Sequence, residues 1–180
     1  MKSILRWTCA GLMLVFVLSA YAGQEQQVEE AIARLQTRTT QNAFVVIKHE
    51  ESKRYVQFAN RGGKLVFDFP LEARVPPDMG PSRVRGPLYE MPDISGNTIH
   101  RVYLSEDVQA RLARVLERHK LPTRPFYETI LNDEQKAVGW MKNFGGTMPG
   151  FAADVRRFVY EVFREVFDLK GELKLTILEN

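Results

Sequence analysis

YVQFANRGGKLVFDFP, Tyr55 to Pro70, is the stretch on which the fold turns. Val56 and Phe58 alternate with polar neighbours, and Leu65, Phe67 and Phe69 alternate with Val66 and Asp68. Each arm therefore reads as a strand with one apolar side. Between the arms, Asn60-Arg61-Gly62-Gly63-Lys64 offers paired glycines, which reach positive φ without steric cost, so the arms form a tight antiparallel hairpin. Pro70 is expected to stop the second arm. Upstream, Phe44-Val45-Val46-Ile47 reads as another strand, joined through the polar turn Lys48 to Arg54, and completes a three-stranded meander.

Outward from the meander, Gln24 to Arg38 reads as a helix with the stripe Val28, Ile32, Leu35, its acids early and its arginines late, as the helix dipole favours. Thr98 to Leu104 is β-rich. Ser105 is placed to cap a helix that runs to about Lys120, with Val108, Leu112, Val115 and Leu116 on one face and Pro122 beyond its end. Phe126 to Leu131 reads as a strand. Asn132 to Phe144 fits a helix start at Asn132-Asp133-Glu134 and a strand at Val138 to Met141, and Gly145-Gly146 reads as a closing turn. From about Pro149 to Asp168, Phe151, Val155, Phe158, Val159, Val162, Phe163, Val166 and Phe167 cover half of a helix, the broadest apolar face in the chain. Lys170-Gly171 offers a C-cap, and Leu173, Leu175 and Ile177 alternate as a last strand. Adjacent strands and separate helices without βαβ alternation define an α+β fold, a mostly antiparallel sheet with helices packed on one face.

Six prolines and three glycines between Pro70 and Gly96 imply a Pro-rich loop at about 70–97 within a single domain covering 23–180. Arg83, Arg85 and Tyr89 in this loop, together with Trp140, are the candidate partner-binding surface; the plainer reading makes the loop a solvated insertion over the sheet and Trp140 a core residue.

The first residues carry Lys2 and Arg6, then the apolar run Cys9 to Ala22, about 14 residues against the roughly 20 that a membrane-spanning helix needs. Small residues at Ala20 and Ala22, with Gly23 next, mark a signal-peptidase site, so residues 1–22 read as a cleavable signal peptide, with cleavage between Ala22 and Gly23. The expected location is periplasmic or secreted, with no membrane span after cleavage. The whole chain has 25 basic and 22 acidic residues. Without Lys2 and Arg6 the balance is +1, which argues against nucleic acid as a partner. The one cysteine, Cys9, goes with the signal, and with it any disulfide, thiolate metal site or cysteine nucleophile.

His49, His100 and His119 lack ligand spacing, no serine sits in a nucleophile elbow, and there is no Gly-rich nucleotide motif. Arg54, Arg61 and Lys64, interleaved with Tyr55 and Phe58 at the hairpin ends, read as a solvated edge. No catalytic residue, metal or cofactor is assigned.

FVVI followed by RYVQFANRGGKLVFDFP (Phe44 to Pro70), LSEDVQARLARVLERHKLP (Leu104 to Pro122) and ADVRRFVYEVFREVFDL (Ala153 to Leu169) together resemble the TY-Chap domains, bacterial modules whose fold is like that of type III secretion chaperones. The resemblance implies a non-catalytic, chaperone-like or protein-binding role with no catalytic residues to carry over. The Pro-rich stretch is longer than the family pattern, and an export signal is at odds with a cytoplasmic chaperone. The expectation is therefore an exported binding module of the bacterial cell envelope whose partner is another envelope or secreted protein. The alternative is a small periplasmic hydrolase or metal-dependent enzyme whose pocket gathers His49 or His100 with acids such as Glu50 or Asp68.

Overall fold

The computed structural model describes residues 23–38, 43–77 and 98–180, and the backbone of 84–88. Residues 1–22, with the expected cleavage position Ala22, lie outside the described residues, as do Arg83 and Tyr89. A helix covers 23–37 (α1), followed by strands β1 (Phe44–His49), β2 (Tyr55–Arg61), β3 (Lys64–Val75), β4 (Val84–Leu88) and β5 (Ile99–Val102). Then come α2 (Glu106–Arg118), β6 (Phe126–Leu131), β7 (Ala137–Thr147), α3 (Ala152–Glu161) and β8 (Leu175–Glu179). All strand pairs are antiparallel, and the sheet runs β4-β6-β7-β3-β2-β1-β8 with β5 also paired to β3. The protein is α+β, and among the described residues three helices lie against one face of that sheet.

The hairpin forms as its sequence dictates. Arg61 pairs with Lys64 across a two-residue loop in which Gly62 and Gly63 take φ of 61° and 80°. Asn60 is buried and joins this turn to α1: its Nδ2 donates to the carbonyls of Leu35 and Arg38, both at 2.9 Å, and its Oδ1 accepts from the Gly63 amide. One amide side chain thus serves the Arg38 carbonyl and gives the Leu35 carbonyl, which the Arg38 amide also reaches, a second donor.

Pro70 does not end the strand. β3 continues to Val75, because Pro70 falls where a missing donor costs little. The ladder to β2 has ended at Asp68, the ladder to β5 begins at Glu72, and on the β7 side the register shifts between Pro70 and Glu72. Part of the expected 70–97 loop is therefore strand, including β4. That strand tolerates Pro87 because it lies at the end of the sheet, where only one side needs a ladder, and because the register shifts between Val84 and Pro87.

Residues 132–144 resolve to a hairpin. Asn132 Oδ1 accepts from the Lys136 amide, Gln135 takes φ of 63°, and the chain enters β7. Gly145 and Gly146 lie inside β7 rather than in a closing turn. A Cβ on Gly145 would sit 2.8 Å from the Phe67 carbonyl oxygen and 3.0 Å from the Phe126 ring; one on Gly146 would meet Pro122 at 2.8 Å. Both are glycines because neighbours occupy that space.

The main core lies between the sheet and the helices. Val45, Ile47, Val56, Phe58, Leu65, Phe67, Phe69, Leu71 and Phe144 meet Val28, Ile32 and Leu35 of α1, Leu112, Val115 and Leu116 of α2, and Val155, Phe158 and Val159 of α3. Phe158 is the hub: its ring lies 5.8–6.4 Å from those of Phe58, Phe67 and Phe69, and 5.2 Å from that of His119. After Glu161 the helix widens into a π turn, Val162–Val166, that keeps Val162, Phe163 and Val166 buried. The cap is Asp168 at φ 54°, not the expected Lys170-Gly171, with the Leu169 amide bonding back to the Phe163 carbonyl. Phe151, counted in the apolar face by sequence, precedes the first helical turn and is 82% exposed. Ser105 occupies the N-cap of α2, but its hydroxyl bonds Asp107 rather than a helix amide.

Phe158→Ala is expected to cost ~3–5 kcal/mol, as a fully buried aromatic lost from close packing. Phe151→Ala is expected to change stability by less than ~0.5 kcal/mol. Urea unfolding of the two variants checks both values.

Candidate recognition surface

The bulge at Leu71 decides which side chains reach which face. Before it, Leu65, Phe67 and Phe69 of β3 face the helices; past it, the helix side holds Glu72 and Arg74. Their partners follow by register: Lys142 and Trp140 on β7, Val102 and His100 on β5, then Tyr127 and Thr129 on β6. Ala73, Val75, Ile130 and Met141 turn to the other face and form a second small core, with Tyr103 and Val138 against it.

This end of the helix-side face carries an ordered aromatic and ionic group. Trp140 is half-buried; Tyr127 meets it edge-on at 5.6 Å between ring centroids, and His100 lies on it at 6.1 Å. Glu72 accepts from Lys142 Nζ at 2.8 Å and pairs with His100 Nε2 at 2.9 Å. The Lys142 hydrogen bond holds the Glu72 carboxyl below its usual value; burial works against this, and the bond to His100 adds to it. Lys142 is raised in turn, chiefly by Glu72. Val102 stands beside this group, 61% exposed. The result is a surface of fixed rings and paired charges with an apolar side chain open to solvent.

Of the residues expected at a partner surface, Trp140 is here and Arg85 lies on β4. The three histidines are not gathered. His49, buried on β1, takes the Ser52 amide at Nδ1 (3.2 Å) and has its ring 6.4 Å from that of Phe163. His100 is on β5, and His119, after α2, bonds Glu161 at 3.0 Å. Glu50 pairs with the Thr176 hydroxyl rather than with a histidine. Among the described residues no group of three His, Cys, Asp or Glu is arranged to hold a metal. A shallow cleft of about 430 Å³ opens beside His119, Lys120 and Met148. Arg118 there is tied to Glu161 and Glu165 at 2.9 and 2.7 Å, so the cleft's charges largely serve each other. Arg54, read as a solvated edge charge, lies over the Phe167 ring at 5.4 Å, and Phe58 is core.

Sequence reading did not single out Glu128 or Asn143. On the face away from the helices, fully buried Asn143 donates from Nδ2 to Glu128 Oε2 at 2.9 Å. Burial raises the Glu128 carboxyl, and the charge of Asp68 adds to this. Asp68, named as a possible acid partner of His49 or His100, is instead in electrostatic reach of Arg61 and Glu128, and desolvation raises its carboxyl too. An Asn on β7 and a Glu on β6 signal nothing in sequence until the register is known. No protein-family model, curated protein or solved structure matches the chain.

Opposite pH signatures follow from the two glutamates. Glu72→Gln is expected to cost about 1 kcal/mol at neutral pH. The cost fades as pH falls below the ordinary 4.5, through the lowered folded-state value. Glu128→Gln keeps the acceptor for Asn143 and is expected to match or exceed the parent at neutral pH. Its advantage is complete above the raised folded-state value, shrinks as pH falls through that value, and is gone below the ordinary 4.5. Denaturant unfolding of both variants between pH 7 and about pH 3 reads the two trends.

Proposed function

We propose that the protein is an exported, non-catalytic module of the bacterial cell envelope that binds another protein through the surface around Trp140. The observation that carries this reading is the Trp140, Tyr127 and His100 cluster beside exposed Val102, beyond the part of the sheet that the helices cover. Trp and Tyr held rigid by neighbours supply large contact area at little entropic cost, and such residues dominate protein–protein binding energy. The Glu72–Lys142–His100 group lends a polar rim with its charges already paired. Export is supported by the basic residues Lys2 and Arg6, the apolar run to Ala22 and the small residues before Gly23. The chaperone-like role implied by the TY-Chap resemblance is compatible with this surface, with an envelope or secreted protein in place of a cytoplasmic cargo.

A photo-crosslinking amino acid at Val102, in cells of the source bacterium, is expected to trap one discrete protein adduct in the envelope fraction. The same probe at Glu117, on the outer side of α2, is expected not to trap it. Trp140→Ala, combined with the Val102 probe, is expected to weaken capture by about tenfold or more, as for an interface hot spot. An adduct indifferent to Trp140→Ala, or a protein retained in the cytoplasmic fraction, would overturn the reading.

A further inference from the structure

The last strand, β8, closes the described sheet at the end opposite β4. The two ends differ. β4 carries Pro87 and a register shift, both of which discourage further pairing. β8 pairs with β1 through five consecutive residues without a break, from His49↔Leu175 to Val45↔Glu179. Its own sequence, Leu175 to Glu179, has no proline, no lysine and no bulge, and its one charged residue, Glu179, is paired with Arg34 and Arg38 of the same chain.

The phase of its hydrogen bonds is set by its flanks. The Glu50 amide donates to the Lys174 carbonyl, and the Asn180 amide donates to the Phe44 carbonyl. In an antiparallel ladder the bonded pairs alternate, so Thr176 and Leu178 turn their backbone groups toward β1, while Leu175, Ile177 and Glu179 turn theirs outward. Leu175 is already served by the Gln24 side chain, whose amide oxygen, in the orientation that satisfies both of its ends, accepts from the Leu175 amide at 3.1 Å while its nitrogen donates to the Leu173 carbonyl. Among the described residues nothing pairs with the outward N–H and C=O of Ile177 and Glu179. Next to them Leu178 is 50% exposed on the face away from the helices.

We propose that β8 pairs with β8 of a second copy of this chain, antiparallel about a two-fold axis through Leu178. In that register Ile177 of each copy faces Glu179 of the other, and each of these two pairs exchanges two hydrogen bonds. The pairing uses the free backbone groups and leaves the Gln24 cap in place. Leu178 meets Leu178 in the non-hydrogen-bonded position, where opposing Cβ atoms approach most closely and the half-exposed side chains cover one another. Charge does not oppose the contact. Glu179 faces an isoleucine rather than its own copy, and its carboxylate is taken by Arg34 at 2.6 Å and Arg38 at 3.0 Å within the same chain. A self-complementary patch of this kind generates a closed dimer. The sheet then runs continuously through both copies, independently of the Trp140 surface.

The test uses the full chain with Cys9→Ser, so that an introduced cysteine is the only one. Sedimentation equilibrium is expected to report a dimer, and Leu178→Lys, which sets two like charges on the axis at an exposed position, is expected to raise its dissociation constant by about tenfold or more. Under mild oxidation Leu178→Cys is expected to form a disulfide-linked dimer rapidly. Thr176→Cys is expected not to, because two such residues would lie about 13 Å apart along the strands. A monomer at every concentration overturns the proposal. So does a dimer that survives Leu178→Lys, or one in which Thr176→Cys crosslinks as fast as Leu178→Cys.

Discussion

A single extra residue in β3 governs how this molecule is arranged. β3 spans twelve residues, too long for one strand of a twisted sheet to present the same side to three helices along its whole length. The shift of register between Pro70 and Glu72 breaks the alternation at the point where the helical layer ends. Below the bulge, the apolar residues of β3 enter the main core. Above it, the helix side of the strand becomes polar and aromatic, and the apolar residues Ala73 and Val75 pass to the other face, where they build a second core with Ile130 and Met141. Both cores and the Trp140 surface are consequences of that one irregularity.

The helical layer is organised around aromatic contacts rather than around helix–helix packing alone. Phe158 sits among Phe58, Phe67 and Phe69 in tilted and edge-on arrangements, so α3 is keyed to the central hairpin. The π turn after Glu161 prolongs that contact by rotating Val162, Phe163 and Val166 inward, and Arg111 of α2 closes its end by donating to the Val166 carbonyl. At the far side, Asn60 joins α1 to the hairpin turn, while Arg34 and Arg38 of α1 reach the end of β8. Helix and sheet edges are thus tied by polar groups where apolar cover runs out.

Polar chemistry is distributed by the same logic. Carboxylates beside cations, such as Glu72 with Lys142 and Glu161 with Arg118 and His119, are held in the charged form. For Glu128 and Asp68, on the other face, desolvation outweighs the charge of Arg61 and raises both carboxyls. The histidines take their bonds in three separate places, and the Trp140 region is distinguished by its clustered rings and paired charges.

Much of this was legible in the amino-acid sequence because it depends on local rules. Alternation marked β2, the start of β3 and β8, and β1 and β6 were read as short strand-like runs. Paired glycines marked the hairpin turn, and helical periodicity marked α1, α2 and α3. Those signals sufficed for an α+β fold with an antiparallel sheet, and composition brought out Trp140 as a residue to explain. Sequence alone misread Pro70, Gly145-Gly146, Phe151 and the cap at Asp168, because each is settled by what lies beside it in space. A proline is harmless where two ladders leave a gap, glycines are required where Phe67, Phe126 and Pro122 crowd the backbone, and a phenylalanine one residue before a helix points away from its face. The Trp140–Tyr127–His100 cluster and the free outward groups of β8 belong to the same category. They depend on strand register, and register is a relation between distant segments that no local pattern encodes.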